Sequence, residues 1–332
     1  MPKISVIIPC YNEEPTIRLL LDALYTQTFL RDEMEVLIVD GMSTDRTREI
    51  IAKFQDEHPE LAVRVIDNHS RTIPAALNRA IEAAQGDIFV RLDAHSVPLP
   101  DYIERSVVAL EAGLGDNVGG IWQIRPGAEG RIAQGIAAAV AHPLGVGDAR
   151  YRIGGQAQAV DTVPFGTFSR DLIERVGAFD ETLLANEDYE FNVRVRKAGA
   201  TVWMDPAIQT TYYARRSLKE LGRQYWRYGY WKLRMLLRYP DTFRWRQLSG
   251  VFVLSWVVLG ILSISWNWAR WLLALETLIY GSALLVLAGL QSARKYQNYS
   301  MLVTVPAAVA VMHFSWGTAF LWSLIKYIVF HK

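Results

Sequence analysis

The stretch Ile4-Ser5-Val6-Ile7-Ile8-Pro9-Cys10-Tyr11-Asn12-Glu13 decides the fold. A short apolar run rich in β-branched residues, too brief for a helix or for the apolar core of a signal peptide, ends abruptly in polar residues. The same grammar recurs downstream. The run at 36–39 ends at Asp40, the run at 63–66 leads into a loop carrying Arg71, and the run at 88–92 ends at Asp93 and His95. Stretches with helical spacing lie between them at 16–24, 47–54 and 75–84. Strand-like runs alternating with helical ones predict βαβ units and a parallel sheet, with ligands at the carboxyl ends of the strands. Tyr11, Asn12, Glu13, Asp40, Arg71, Asp93 and His95 all fall at such ends. Each alone is an ordinary turn residue, but four exits in register predict one shared ligand site.

Charge and hydropathy divide the rest of the 332 residues. The formal net charge is +1, yet basic and acidic residues number 20 and 31 over 1–212, 10 and 2 over 213–246, and 5 and 1 over 247–332. An acidic body on a cationic belt excludes a uniformly basic nucleic-acid binder, and no nucleic-acid partner is expected. The single cysteine, Cys10, excludes an internal disulfide. Segments 249–266 and 301–325 carry no charge and 271–290 carries only Glu276. Each approaches the ~20 residues that a bilayer core requires, so three spans are expected. Pro306 leaves open whether the last is one span or a re-entrant pair. Arg244, Arg246, Arg294 and Lys295 flank these segments and predict a multi-pass protein of the inner, cytoplasmic cell membrane with its body in the cytoplasm. In the belt, basic residues interleave with Trp226, Tyr230 and Trp231, as in a helix lying on an anionic leaflet. The expected domains are therefore 1–212, 213–246 and 247–332.

No G-x-G-x-x-G follows the first strand and no P-loop motif occurs. Phosphates beside an acidic body then need another counter-charge. Asp93-Ala94-His95 offers a carboxylate and an imidazole two residues apart, a pair able to reach one hard or borderline cation.

Pro9-Cys10-Tyr11-Asn12-Glu13-Glu14, Asp40-Gly41-Met42-Ser43-Thr44-Asp45, Asp93-Ala94-His95 and Glu187-Asp188, in that order, resemble the signatures of inverting family 2 glycosyltransferases. The resemblance covers residues 3–232 and is strongest to the membrane-associated branch that builds bacterial exopolysaccharide, as in succinoglycan-type glucosyltransferases; the stretch from His142 to Gly147 adds to it. It implies an α/β GT-A-like (Rossmann-like) mixed sheet with flanking helices, then amphipathic interfacial helices and C-terminal transmembrane helices. It implies that Pro9, Tyr11, Glu13 and Asp40 hold the uridine, that Arg71 contacts the base, and that Asp93 binds the diphosphate through Mn2+ or Mg2+. His95 stands where the family's second aspartate would be, which suits Mn2+ better than Mg2+.

Asp188 matches the catalytic base, with Glu187 beside it. Asn186 or Asp188 also reads as the cap of a helix over 189–198. Gly166 and Thr167 match an acceptor-side segment. Gln224-Tyr225-Trp226-Arg227-Tyr228 has the spacing of the family's Q-x-x-R-W motif, which implies that Gln224, Arg227 and Lys232 grip the diphosphate. The expected activity moves one sugar, glucose, from a UDP-sugar to a polyprenyl-diphosphate-linked saccharide. The alternatives are a synthase that charges polyprenyl phosphate and an inactive nucleotide-binding scaffold.

Overall fold

The four apolar runs form four strands: β1 (Ile4–Cys10), β2 (Met34–Asp40), β3 (Ala62–Asp67) and β4 (Ile88–Arg91). The computed structural model describes residues 3–330, except the side chains of Trp245 and Arg246, so the flanking cation Arg246 lies outside the described residues. Helices α1 (Ile17–Tyr25), α2 (Thr47–Glu57) and α3 (Ile73–Ala83) fill the gaps between these strands. Then follow β5 (Ser96–Pro98), α4 (Tyr102–Glu111), β6 (Asn117–Arg125), α5 (Arg131–Ala139), α6 (Pro143–Val146) and α7 (Arg150–Ile153). After them come β7 (Gln158–Ala159), β8 (Thr167–Ser169), α8 (Arg170–Val176), α9 (Glu187–Lys197) and β9 (Val202–Tyr213). The chain closes with α10 (Leu218–Arg238), α11 (Ser249–Leu262), α12 (Asn267–Ala283), α13 (Gln291–Tyr296) and α14 (Met301–Phe330).

Two compact units result. One comprises the chain up to Gln123 together with Gly154–Tyr212; the other comprises Ile124–Ile153 and the chain from Tyr213 onward.

In the first unit the strand order is β3-β2-β1-β4-β8-β6-β9-β5, with β7 paired to β9. β3, β2, β1 and β4 are parallel, with Ile4 opposite both Met34 and Ile88 and Cys10 opposite Asp40. The parallel expectation stops there. β8 runs antiparallel to β4, and β5 and β7 antiparallel to β9, which makes the sheet mixed. Only Leu92–His95 separate β4 from β5, which pairs at the far edge with β9. Alternation along β1 sends Ile4, Val6 and Ile8 to one face, against Leu20, Leu21, Phe54 and Tyr102, and Ile7 to the other, with Leu77, Phe89 and Phe191. Each such side chain contributes about 1.5–3 kcal/mol when fully buried. That double-sided core fixes the strand ends where the site is built.

The second unit is organised on α14, against which α5, α10 and α11 pack. Gly229 of α10 is required there, because a Cβ would overlap the Trp316 carbonyl. One face of α10 is buried through Leu221, Tyr225, Lys232, Leu233 and Met235, while Arg223, Trp226, Arg227, Arg234 and Arg238 are exposed. Two apolar helices are long enough to cross a membrane, by length and composition: Asn267–Tyr296, which includes a π-helical stretch, and Met301–Phe330. The first of the three expected spans is the shortest helix of the three. Segment 249–266 folds as the 14-residue α11 and a turn, about 21 Å at 1.5 Å per residue, against a ~30 Å hydrocarbon core. Pro306 sits inside α14 without breaking it, so the last stretch is one helix. Glu276 accepts a hydrogen bond from Ser255 Oγ at 3.2 Å, a polar contact between helices.

Candidate functional site

The loops after β1 and β2 are knitted together by their own polar side chains. Asn12, in the left-handed region (φ 53°), donates its backbone N–H to Ser43 Oγ at 2.8 Å and accepts from Thr44 N through Oδ1 at 2.8 Å. Glu13 N donates to Thr47 Oγ1 at 2.8 Å. Asp40 is fully buried: its carboxylate accepts from Ser43 Oγ at 2.5 Å and from Arg48 Nε at 2.6 Å, while Arg48 also reaches Asp67. Asp40 thus organises the loop from behind. What the loop presents outward is Tyr11, 48% exposed, whose ring Gly41 accommodates: a Cβ at Gly41 would stand 3.3 Å from Tyr11 Cβ and Cδ2. Pro9 is half-buried, and Arg71, exposed, holds a left-handed backbone with φ 54°. Burial, with Asp40 nearby, pushes the Cys10 thiol pKa up.

At the exit of β4 the chain turns sharply, with Ser96 N and Oγ both donating to the Asp93 carbonyl, at 2.9 and 2.7 Å. This turn directs Asp93 and His95 toward each other, with His95 Nε2 4.0 Å from Asp93 Oδ2. His95 Nδ1 lies 3.0 Å from Glu13 Oε1, which ties the β1 and β4 exits together. Tyr212 packs near the His95 ring, and Trp122 stacks on Tyr212 at 4.2 Å. Among the described residues, no group of three His, Cys, Asp or Glu side chains is arranged to hold a metal ion by itself.

Arg91, the last residue of β4, is the site residue that sequence reasoning missed. It is 2% exposed and its fork faces three carboxylates. Nη2 donates to Asp93 Oδ1 at 3.1 Å and to Glu187 Oε1 at 3.2 Å; Nη1 pairs with Asp188 Oδ1 and donates to the Pro164 carbonyl at 2.8 Å. The signal was available: a charge ends a strand that is otherwise apolar, two residues before Asp93 and therefore on the same side of the chain. Asp188 lies in the first turn of α9, beside buried Glu187. Asn186 occupies the cap position in the left-handed region, with φ 67°, and makes no side-chain cap bond. Of the two expected caps, Asn186 holds the cap position without a side-chain cap bond, and Asp188 lies inside the first turn.

Gly166 and Thr167 are closely packed. Asn117 Oδ1 occupies the place where a Gly166 Cβ would be, and Thr167 is fully buried. Gln224, Arg227 and Lys232 belong to α10 in the second unit. Gln224 Nε2 donates to Tyr228 OH at 3.0 Å, Arg227 is exposed and Lys232 is buried at 6% exposure.

Residues 5–177 match the family model described as glycosyl transferase family 2. The chain belongs to that family. Among curated proteins, this family 2 glycosyltransferase is 29% identical over 324 residues to the succinoglycan biosynthesis protein ExoA of Rhizobium meliloti (strain 1021), covering 97% of this chain and 95% of that one. It is also 29% identical over 272 residues to the dolichyl N-acetyl-alpha-D-glucosaminyl phosphate 3-beta-D-2,3-diacetamido-2,3-dideoxy-beta-D-glucuronosyltransferase of Methanococcus voltae, covering 78% of this chain and 82% of that one. Its fold is shared with the mannosyltransferase PcManGT from Pyrobaculum calidifontis, solved with GDP-Man and Mn2+. The TM-score is 0.63 at 19% identity, over 100% of this chain and 88% of that one.

Proposed function

We propose that this glycosyltransferase transfers one sugar, with inversion, from a nucleoside-diphosphate sugar to a lipid-linked saccharide in polysaccharide biosynthesis at the cytoplasmic face of a membrane. The observation that carries the reading is the convergence of Asp93 and His95, from the β4 exit, with Asp188, from the start of α9, around Arg91. An inverting transfer needs a site for the departing diphosphate and a base for the incoming hydroxyl, held apart in fixed geometry. Asp93 and His95 fill the first role and Asp188 the second.

The donor set fits a divalent cation. Two ligands ~2.1 Å from one ion stand roughly 3–4 Å apart, and the observed 4.0 Å between Asp93 Oδ2 and His95 Nε2 meets that with little movement. With the ring proton on Nδ1, His95 donates to Glu13 and turns its Nε2 lone pair toward Asp93. Glu13 thereby orients a ligand. When bound, the cation neutralises charge on the leaving diphosphate. Asp188 accepts the proton of the attacking hydroxyl. Tyr11 offers a flat, exposed face to a nucleobase, with Arg71 at the next exit; Pro9 and Asp40 shape and brace that loop. The diphosphate role proposed for Gln224, Arg227 and Lys232 rests on their motif.

Mn2+ bound to the Pyrobaculum neighbour supports the cation, and the dolichyl name of the Methanococcus relative supports a lipid-linked acceptor. The two long apolar helices support membrane attachment, and the ExoA relative supports exopolysaccharide. UDP-glucose is the donor that the resemblance to succinoglycan-type glucosyltransferases implies. The test is a panel of UDP- and GDP-sugars incubated with lipid-linked acceptor and the full-length protein, read by product mass. A single added hexose from UDP-glucose is expected. A ladder of products would replace this reading with a processive one, and transfer to bare polyprenyl phosphate would replace the acceptor.

A further inference from the structure

We propose that Arg91 is a positioning residue for turnover: it holds the Asp188 end of α9 at a set distance from Asp93 and acts through Asp188, with no contact of its own to substrate. The proposal rests on the reading of Asp188 as the base.

The first turn of α9 carries Glu187, Asp188 and Glu190, and its cap residue Asn186 makes no side-chain cap bond. The acids are held from outside that turn. Arg194 takes Glu190 with Nε at 2.8 Å and is itself anchored on the carbonyls of Gly177 and Ala178. Arg91, 96 residues before Glu187, takes Glu187 and Asp188. The grip is directional because the guanidinium is itself held. The Arg91 backbone N–H donates to the Gly166 carbonyl at 3.0 Å, Nη1 to the Pro164 carbonyl at 2.8 Å, and the Phe165 ring lies 5.9 Å from its carbon Cζ. One planar fork therefore spans Asp93 on the donor side and Asp188 on the acceptor side. At 2% exposure, neither bulk water nor substrate reaches it to compete. A lysine would keep the charge and lose the fork, since an ammonium is a point donor on a flexible stem.

The experiment compares Arg91→Lys, Asp188→Asn and the double variant in full-length protein, reading kcat and donor KM, the calorimetric affinity for UDP with Mn2+, and the melting temperature. Arg91→Lys is expected to lose roughly 10- to 100-fold in kcat, the scale of a misplaced catalytic group, with donor KM and UDP affinity within about twofold of wild type. In the Asp188→Asn background the same change should remove nothing further, because residues acting as one unit are non-additive. A loss that multiplies in the double variant, or one that falls on donor KM and UDP affinity, would overturn the proposal. So would full activity of Arg91→Lys beside an inactive Asp188→Asn. Normal turnover of Asp188→Asn alone would remove the base assignment and this proposal together. Should Arg91→Lys unfold, Glu187→Gln loosens the same fork from the other side. A fall in its kcat at constant donor KM is then expected, and unchanged kcat would count against the proposal.

Discussion

Arg91 and the arginines of α10 carry the same guanidinium into opposite surroundings. Arg91 is sealed at the end of a buried strand among Asp93, Glu187 and Asp188, whereas Arg223, Arg227, Arg234 and Arg238 stand on the exposed face of an amphipathic helix. In a dry site each charge depends on its partners, so removing one leaves the others uncompensated at several kcal/mol. On a wet surface each cation contributes little alone and is screened by salt, so that only the row matters. The same residue type is thus a precise constraint in one unit and a collective surface property in the other.

Asp93→Ala should abolish transfer altogether, and a chelator should do the same. His95→Asp should retain transfer and shift preference toward Mg2+, because carboxylate replaces imidazole. Full activity in chelator would remove the cation from the site. Next in size, Asp188→Asn should bind nucleotide normally and lose at least ~100-fold in turnover, measured by product mass over time, the scale expected of a general base.

Arg91→Met should lower stability by about 3 kcal/mol, seen as a marked fall in melting temperature, because it strands buried Glu187 beside the half-buried Asp93 and Asp188. The pair Arg223→Gln and Arg234→Gln should shift stability by no more than ~0.5 kcal/mol per site. That pair should instead weaken binding to anionic vesicles at low salt by about 1 kcal/mol per residue, with the difference vanishing at high salt. Equal stability losses in the two sets would erase the distinction between the regions. The smallest effect concerns Cys10: burial raises its thiol pKa, so the folded protein should resist maleimide at mildly alkaline pH and react only on unfolding.

Much of the first unit was legible. The runs at 4–8, 36–39, 63–66 and 88–92 each became a strand, and the stretches at 16–24, 47–54 and 75–84 lie almost wholly within α1, α2 and α3, because strand and helix periods are local properties. The exits carrying Tyr11, Asp40, Asp93 and His95 followed from those strands. The burial of Asp40 and Thr167 was not legible, since Asp and Thr read as surface residues until the fold encloses them, Asp40 with Arg48 as its partner. In the second unit hydropathy located the apolar segments but could not show that 249–266 stops short as α11, or that Lys232 faces inward while Arg227 faces out.

By itself the sequence determined the alternation of strands and helices, the four polar strand ends and the separation of an acidic body from an apolar tail, because periodicity and charge are written along the chain. Only the tertiary structure decided which cation meets which carboxylates. Arg91 and Glu187 are 96 residues apart, and no local pattern records that β4 and the start of α9 would close on the same buried point. The sheet brings them together, and burial, by excluding water, turns that meeting into a constraint.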